Sequence, residues 1–359
     1  MLIDLSKALA TTAPASNKFE TKVLDFIKEW FSDSKMVKIQ TSGSTGNPKI
    51  FEVEKSKMLN SADMTCQFLG LEKGNLALIC LPIEYISGKM MVVRSISAKM
   101  QLEIVTPSLN PLQDIDKTID FCAMTPLQVE NSLGKIHLIT NLIIGGAAVS
   151  ETLKKKIWES LIKKEKSFES LSHTNNFQTK IFETYGMSET LSHIALRQIF
   201  PVTDEWFSVF GGIDISLDQR GCLTISAPKL NADVLYTNDL VEINHKRQFR
   251  FLGRIDNVIN SGGAKIFPEE LEKLVKQHIE NEVVFLGLDD EQLGQKLTLV
   301  IEGAESDAVN TELSAINYKK SFYKPKEIIF VEQIPRTENG KVNRLQLRAL
   351  VNALPKRPQ

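Results

Sequence analysis

The sequence lacks several features that would place it in common classes of protein. It has no excess of positive charge, because 43 Lys and Arg stand against 44 Asp and Glu. Proteins that bind nucleic acid usually carry such an excess, so no nucleic acid is expected as a partner. No apolar run reaches about 18 residues, which argues against a membrane span. Asp4 interrupts the first apolar residues and no basic run precedes them, so no signal peptide is expected.

Cysteine is scarce as well, with four residues in the chain, Cys66, Cys80, Cys122 and Cys222. They form neither a CxxC pair nor the Cys and His ladder of a zinc site. Their apolar neighbours predict buried thiols in a reducing cytoplasm, so a cytoplasmic protein is expected. The 359 residues exceed one compact core and favour a large domain plus a smaller one.

Strand and helix patterns alternate over the first part of the chain. Residues 18–31 carry apolar side chains at helical spacing, residues 36–40 read as a strand, and residues 55–69 read as a helix ended by Gly70. Helical stretches then alternate with apolar runs at 76–82, 102–105, 119–124 and 141–146. This alternation predicts a layered α/β domain with ligand loops at the strand ends.

The pattern changes to short strands and turns from about residue 208. After Gly253 it indicates a compact α+β unit, with a helix beginning at Pro268. The predicted helices are 268–280 and about 307–319, and the predicted strands are 282–288, 296–302 and 327–334. The predicted fold is α/β overall: a large layered domain over residues 1–254 and a smaller α+β C-terminal domain over residues 255–359, joined by a hinge.

The loop TSGSTGNPK, residues 41–49, follows a predicted strand and combines glycines, hydroxyls and Lys49. Its backbone N–H groups suit a polyphosphate, whose charge the lysine would help to balance. The Walker A spacing is absent because Gly43 and Gly46 lie too close together and Ile50 follows the lysine. A P-loop kinase or ATPase is therefore disfavoured, and the loop taken alone is more often an ordinary surface turn.

Four other segments contain candidate ligand-binding residues. In ETYGMSET, residues 183–190, an aromatic ring and Glu189 suit a nucleobase and Mg²⁺. Asp239 in YTNDL lies at a predicted turn, where its oxygens suit the ribose hydroxyls, although an Asx turn has the same pattern. The segment 253–272 contains two adjacent glycines that permit close approach of a ligand. A polar loop near the end of the chain presents Lys341, which alone would be a solvated lysine.

In this order and spacing, the five segments resemble the adenylate-forming superfamily of acyl-CoA synthetases, adenylation domains and luciferases, over residues 36–348. The resemblance implies that a carboxylic acid and ATP form an acyl-adenylate and pyrophosphate, after which CoA displaces AMP. It implies phosphate-loop ligands at Thr41, Ser42, Gly43, Ser44, Thr45, Gly46 and Lys49. It implies an adenine and ribose site at Gly146, Ala147, Thr184, Tyr185, Gly186, Asp239 and Arg254.

The remaining roles also come from this resemblance. Lys341 would be the catalytic lysine, and Glu189 would be a catalytic residue and the ligand of Mg²⁺. Asp256 would be the hinge about which the small domain rotates between the two reactions. Gly262 and Gly263 would then face the channel for the CoA thiol. The implied small-molecule partners are thus a carboxylic acid, ATP and CoA, together with Mg²⁺.

A narrower resemblance comes from residues 81–96 and 188–197, which are similar to the 2-succinylbenzoate:CoA ligases of menaquinone biosynthesis, in a short form. That substrate has a second, aryl carboxylate, and Ser87 and Arg94 match the residues that hold it, since arginine can bind a carboxylate bidentately. Tyr85, Ser192 and His193 would line the acid pocket. An exposed helical arginine and a histidine satisfied by backbone groups are the simpler alternatives.

The sequence departs from the family pattern in two ways. Gln40, Ile50, Asn238 and Tyr85 replace, respectively, an aromatic residue, two glycines and a frequent histidine. A substantial N-terminal portion of the usual large domain is also absent, so that side is expected to be shortened or covered by a partner subunit, as in a homodimer. The alternatives are a CoA ligase for another aryl or acyl acid, an enzyme that passes the acyl group to a carrier protein, and a degenerate, non-catalytic nucleotide-binding protein.

Overall fold

The structure is a computed structural model that describes residues 1–5, 14–40, 50–168, 177–336 and 342–354. The chain divides into two compact units. The first unit comprises Met1–Ser216, Thr224–Leu235 and Ile243–Arg250, and the second comprises Leu217–Leu223, Tyr236–Glu242 and Phe251–Gln359. The boundary between residues 254 and 255 that the sequence suggests stays a prediction.

The described ranges contain the following elements. The helices are α1 (Lys18–Trp30), α2 (Lys55–Leu69), α3 (Ile86–Ser97), α4 (Pro126–Asn131), α5 (Glu151–Phe168), α6 (Pro268–Val275), α7 (Asp307–Ala315) and α8 (Arg344–Ala353). The strands are β1 (Leu2–Asp4), β2 (Met36–Gln40), β3 (Ile50–Glu54), β4 (Leu76–Ile79), β5 (Gln101–Ile104), β6 (Ile119–Met124), β7 (Ile139–Ile144), β8 (Lys180–Gly186), β9 (His193–Phe200), β10 (Phe207–Val209), β11 (Asp214–Leu217), β12 (Cys222–Ser226), β13 (Leu235–Ile243), β14 (Gln248–Arg254), β15 (Ile259–Ser261), β16 (Ala264–Ile266), β17 (Val283–Asp290), β18 (Gly294–Glu302) and β19 (Glu327–Val331).

Five parallel strands, in the order β5-β4-β6-β7-β8, form the centre of the sheet in the first unit. Antiparallel neighbours flank them, with β1 beside β5 and β9 beside β8. Beyond β9, the sheet of the first unit continues with β10 and with Gln248 and Phe249 of β14. The parallel centre confirms the predicted α/β class, and ligand loops are expected where the carboxyl ends of its strands meet.

Local sequence signals account for the ends of the first two helices. The side chain of Asn17 accepts hydrogen bonds from the N–H groups of Phe19 and Glu20, both at 2.9 Å, and thereby caps the start of α1. The predicted apolar stripe of this helix is buried at Phe19, Val23, Phe26 and Ile27. Gly70 ends α2 in the left-handed conformation, with φ at 65°, as the sequence predicts.

Helix α5 covers one face of the parallel strands. The hydroxyl of Ser150 accepts a hydrogen bond from the N–H of Leu153 at 3.1 Å and thereby caps the start of this helix. The indole of Trp158 donates to the carbonyl of Ile199 at 2.9 Å, and its ring packs edge-on against Phe200. The buried side chains of this layer are Leu142, Ile144, Leu153, Ile157, Leu161, Ile181 and Phe200. The other two tryptophans, Trp30 and Trp206, also belong to the first unit.

The second unit contains a five-stranded sheet in the order β16-β15-β18-β17, with β19 parallel to β18 on its other side. Alternate residues of β17 face two separate cores. Val283 and Phe285 pack in one core with residues of α6 and α7, whereas Val284 and Leu286 pack in the other with residues of α8. Helices on both faces of a mixed sheet confirm the predicted smaller α+β part.

The structure corrects several predicted boundaries in the second unit. Helix α6 ends at Val275, five residues earlier than predicted, because the chain turns there and the N–H groups of His278 and Ile279 bond to the Val275 carbonyl. Helix α7 ends at Ala315 instead of residue 319, since Ile316 is extended. The sequence offered no prediction for β1, β9 or α8. Within the described ranges, no helix has both the length and the apolar character needed to cross a membrane.

Candidate active site

Arg94 lies on α3 and is 2% exposed, so it is the most deeply buried cation of the candidate acid pocket. Its Nη2 donates to the hydroxyl of Ser192 at 2.6 Å and lies 3.5 Å from Nδ1 of His193. Among the described residues, its Nε has no hydrogen-bond partner and no carboxylate forms an ion pair with it. Burial lowers the pKa of Arg94 to about 10, so the guanidinium is charged at neutral pH.

His193 lies between Arg94 and helix α2. Its Nε2 is 3.1 Å from the hydroxyl of Thr65, and its ring packs edge-on against Phe210. Burial, and then the charge of Arg94, hold the pKa of His193 well below its usual range. The imidazole is therefore neutral. The structure thus brings together three of the predicted pocket residues, Arg94, Ser192 and His193, and adds Thr65, for which the local sequence has no signal.

The other two predicted pocket residues lie near the start of α3. Ser87 is exposed on its first turn, about 10 Å along the helix axis from Arg94, since a helix rises about 1.5 Å per residue. Tyr85 pairs with Gln40, the last residue of β2, in a short parallel bridge. Directly after Ser87, a Cβ on Gly88 would lie closer than 3.0 Å to the carbonyl of Pro82. The glycine of the Ser-Gly pair is therefore needed for close packing of α3.

The predicted adenine segment lies at the carboxyl end of β7, beside the end of β8. Ile144 and Glu183 pair in the parallel register, so Gly146 and Ala147 follow on the same edge as Thr184. A Cβ on Gly145 would lie 2.7 Å from the hydroxyl of Thr184, and Gly146 has a positive φ of 87°. The two adjacent glycines, Gly145 and Gly146, therefore permit the close approach of this turn to Thr184.

Tyr185 and Gly186 end β8. The ring of Tyr185 packs edge-on against Phe249, with ring centres 4.8 Å apart. Gly186 pairs with His193 across the hairpin, and a Cβ there would lie closer than 3.0 Å to the backbone of His193. The predicted nucleotide residue Gly186 therefore also permits the turn that places His193 beside Arg94.

The loop between β8 and β9 carries Glu189. Thr190 is fully buried, and its hydroxyl lies 2.8 Å from the Ser192 carbonyl and 3.0 Å from that of Met187, which closes the loop on itself. Leu191 adopts a positive φ of 63°. Glu189 is exposed, and its carboxylate has no hydrogen bond or ion pair among the described residues.

Glu183 is a further buried group that sequence reasoning missed. Its Oε1 accepts from the N–H of Val149 at 3.0 Å, and its Oε2 forms an ion pair with Arg197. Lys154 of α5 lies 3.9 Å from the same oxygen. This network ties the loop after β7 to β8 and β9, so it holds the glycine turn described above in place.

In the second unit the structure brings the predicted ribose and hinge residues together. Nη1 of Arg254 lies 3.7 Å from Oδ1 of Asp239, and its Nη2 lies 2.9 Å from Oδ2 of Asp256. The amide of Asn238 donates to both carboxylate oxygens of Asp256, at 3.3 and 3.2 Å, and its oxygen accepts from Arg220 at 3.0 Å. The hydrogen bond from Arg254 lowers the pKa of Asp256, burial raises it by less, and the hydrogen bonds from Asn238 lower it further, so the pKa lies below its usual value.

Gly262 and Gly263 form the two-residue turn between β15 and β16. Both have positive φ, 56° and 81°, as a tight hairpin of this kind requires. The N–H of Gly262 donates to the carbonyl of Leu293 at 2.9 Å. The remaining predicted residues, Thr41, Ser42, Gly43, Ser44, Thr45, Gly46, Lys49 and Lys341, lie outside the described residues.

No protein-family model matches the chain. A solved structure from Dyadobacter fermentans is similar to the chain, with 33% sequence identity and a TM-score of 0.64. The similarity covers 98% of this chain and 99% of that one. It is an acyl-CoA synthetase (AMP-forming)/AMP-acid ligase II-like protein. The present chain belongs to that family. It is therefore an acid–thiol ligase of the AMP-forming type, a class that uses ATP and CoA.

More distant relatives agree with this assignment. A 2-succinylbenzoate–CoA ligase of Lactococcus lactis is 23% identical to the synthetase over 89% of this chain and 72% of its own, and one of Bacillus mycoides is 25% identical over 92% and 73%. The O-succinylbenzoate coenzyme A synthetase of Bacillus subtilis, in complex with ATP and magnesium, shares the fold, with a TM-score of 0.68 over 87% of this chain and 69% of that one, at 18% identity.

Proposed function

We propose that the synthetase activates 2-succinylbenzoate through an acyl-adenylate to 2-succinylbenzoyl-CoA, a step of menaquinone biosynthesis. The observation that carries the proposal is the buried charge of Arg94, which has no carboxylate partner among the described residues. A desolvated cation without a counter-charge is costly, so such a group suits a site whose ligand supplies the anion. The aryl carboxylate of 2-succinylbenzoate is such an anion, and the curated relatives named above support the choice.

The hydrogen-bonding groups around Arg94 fit this role. Ser192 and His193 are neutral acceptors for its Nη2, so they orient the guanidinium without cancelling its charge. The free Nε leaves a second donor for a carboxylate, as bidentate binding requires. The acid would thus be held at its unreactive end, and its succinyl carboxylate would remain free for the reaction.

The nucleotide would be held by the residues that the family resemblance assigns. Residues 41–49 would bind the β- and γ-phosphates, Gly146, Ala147 and Tyr185 the adenine, and Asp239 with Arg254 the ribose. The short distance between Asp239 and Arg254 supports a common ligand for the two. Gly262 and Gly263 would face the CoA channel after rotation about Asp256.

Mg²⁺ would bind together with ATP at Glu189. The described residues contain no cluster of three or more His, Cys, Asp or Glu that could hold a metal ion by itself. A single exposed carboxylate fits Mg²⁺ instead, because this ion prefers one or two carboxylates plus phosphate oxygens and water. When bound, it would offset the phosphate charge that repels the attacking carboxylate. Lys341 would supply the fixed positive charge between the acyl oxygen and the α-phosphate.

The test compares two acids with purified protein, ATP, Mg²⁺ and CoA. One is 2-succinylbenzoate and the other is 4-oxo-4-phenylbutanoate, which lacks the aryl carboxylate. Arg94→Ala is expected to raise the KM for 2-succinylbenzoate at least tenfold, since hydrogen bonds to charged groups contribute about 1.5–3 kcal/mol. The KM for the second acid should stay within about twofold of wild type. Arg94→Lys, which keeps the charge but not the fork, is expected to lie between wild type and Arg94→Ala.

Other outcomes assign the protein differently. An unchanged KM for 2-succinylbenzoate in Arg94→Ala would contradict the dicarboxylate assignment and favour a ligase for another acid. Release of AMP that requires a carrier protein instead of CoA would indicate acyl transfer to that carrier. Absence of pyrophosphate exchange with every acid of a broad panel would indicate a non-catalytic nucleotide-binding protein.

A further inference from the structure

A chain of hydrogen bonds leads from helix α2 to Arg94. The hydroxyl of Thr65, fully buried on α2, donates to the carbonyl of Ser61 at 3.2 Å. Because a hydroxyl has a single proton, the same oxygen can only accept from its second neighbour, Nε2 of His193, at 3.1 Å. The proton of the neutral imidazole therefore lies on Nε2, on the side away from Arg94.

This tautomer leaves a lone pair on Nδ1, which faces Arg94 and Ser192. The distances are 3.5 Å to Nη2 of Arg94 and 3.3 Å to the hydroxyl of Ser192. With the opposite tautomer, an N–H of the imidazole would point at an N–H of the guanidinium, and the two would repel each other. The hydroxyl of Thr65 thus decides whether His193 attracts or repels the Nη2 group.

Two further side chains near Arg94 and His193 are neutral too. The thiol of Cys66 donates to the backbone carbonyl of Arg94 at 3.7 Å, and burial raises its pKa to about 11, so it stays protonated. The ring of Phe210 covers His193 on one side. Arg94 is therefore held by neutral acceptors and keeps its full charge for a ligand.

We propose that Thr65 is a positioning residue that selects acids with a second carboxylate. By fixing His193 as an acceptor, it orients Arg94 toward that carboxylate and contributes to the preference for 2-succinylbenzoate over acids that lack the aryl carboxylate. The inference rests on the proposed function for the identity of the acid, but not for the hydrogen-bond chain. Thr65 would act through His193, which its hydroxyl contacts at 3.1 Å.

Three variants test this role. Thr65→Val keeps the shape of the side chain but removes its oxygen, and Thr65→Ser restores the oxygen. Ser61→Ala is the matched control on the same helix, because its own buried hydroxyl has no hydrogen-bond partner in the part of the chain that the structure describes and its carbonyl is retained. The readouts are kcat and KM for 2-succinylbenzoate and 4-oxo-4-phenylbutanoate, and the ring 15N shifts of His193, assigned by their loss in His193→Gln.

Thr65→Val is expected to lower the ratio of kcat/KM between the two acids about tenfold, the loss expected for one hydrogen bond made to a charged group. The loss should appear as a higher KM for 2-succinylbenzoate alone, with kcat nearly unchanged. The 15N shifts should report Nε2–H in wild type and Thr65→Ser, and a mixture of tautomers in Thr65→Val. Ser61→Ala should retain the wild-type ratio.

The outcomes separate this inference from the proposed function. An unchanged tautomer and an unchanged ratio in Thr65→Val would overturn the role of Thr65, as would equal losses with both acids. Equal kcat/KM values for the two acids in the wild-type enzyme would instead overturn the dicarboxylate assignment. The 15N shifts would then still decide whether Thr65 sets the tautomer of His193.

Discussion

At the scale of single residues, the buried polar side chains determine what the site can bind. Arg94 and His193 could be identified from the sequence because each lies in a compact motif. Thr65 and Glu183 could not be identified from the sequence, because tertiary structure brings them to their partners. Thr65 contacts His193, which is 128 positions away in the sequence, and Glu183 contacts Val149, which is 34 positions away. The alternative of an exposed helical arginine is wrong, because Arg94 is 2% exposed.

The buried histidine predicts a pH dependence of stability. Burial and the charge of Arg94 depress the pKa of His193 in the folded chain. Below about pH 6.5, His193 therefore binds a proton in the unfolded chain but not in the folded chain. This one group should therefore lower the free energy of unfolding by up to about 1.4 kcal/mol per pH unit as the pH falls below 6.5. In His193→Gln that component should vanish. Urea unfolding between pH 7 and 5 measures it, and equal slopes in both proteins would contradict the assignment.

At the scale of elements, the sequence predicts whether a segment is a helix or a strand better than it predicts where that element ends. Helix α1 and four of the five parallel strands, β4 to β7, lie where their apolar side chains predict them, whereas the fifth, β8, was not predicted as a strand. Helix α6 was extended too far because Ile279 is apolar and falls at helical spacing, yet it reaches the core through a turn after Val275. Strand β9 has no turn signal of its own before it, and its start depends on the close contact of Gly186 with His193.

The approach of α3 to the Pro82 carbonyl yields a stability prediction. Gly88→Ala would place a Cβ closer than 3.0 Å to backbone atoms of Pro82 and Ile83. Backbone atoms cannot move away as the end of a flexible side chain can. We expect a loss of about 1–3 kcal/mol in the free energy of unfolding, typical of overpacking. Gly134→Ala is the control, because a Cβ there meets nothing within 4 Å. Similar midpoints for the two variants in thermal unfolding would show that α3 can shift at no cost.

At the scale of the whole molecule, the proposed function requires two reactions, for which we propose a common hinge at Asp256. This chain spans 72–73% of the 2-succinylbenzoate–CoA ligases of Lactococcus lactis and Bacillus mycoides, but 99% of the Dyadobacter fermentans relative. The surface on which a partner subunit would pack could not be predicted, because an interface between chains leaves no periodic pattern in one sequence.

Asn238 offers a test of the hinge proposal. It replaces a usual glycine, and its amide bonds to both carboxylate oxygens of Asp256, so any conformation that moves Asp256 away must break these bonds. Exposed polar contacts of this kind contribute about 0.5–1 kcal/mol, or about two- to fivefold in a population. Asn238→Gly should therefore change the rate of adenylate formation and the rate of thioester formation by that factor, one upward and the other downward. Single-turnover assays of each reaction measure this, and parallel changes would argue against a hinge at Asp256.

The positions of the three tryptophans determine how these experiments can be followed. Trp30, Trp158 and Trp206 all belong to the first unit, and Trp158 is fixed there by its bond to the Ile199 carbonyl. Intrinsic tryptophan fluorescence will therefore report the environment of the first unit, including α3 and its variants. It will not detect local unfolding of the second unit. A comparison of fluorescence with circular dichroism, which sees both units, will show whether they unfold in one transition or in two.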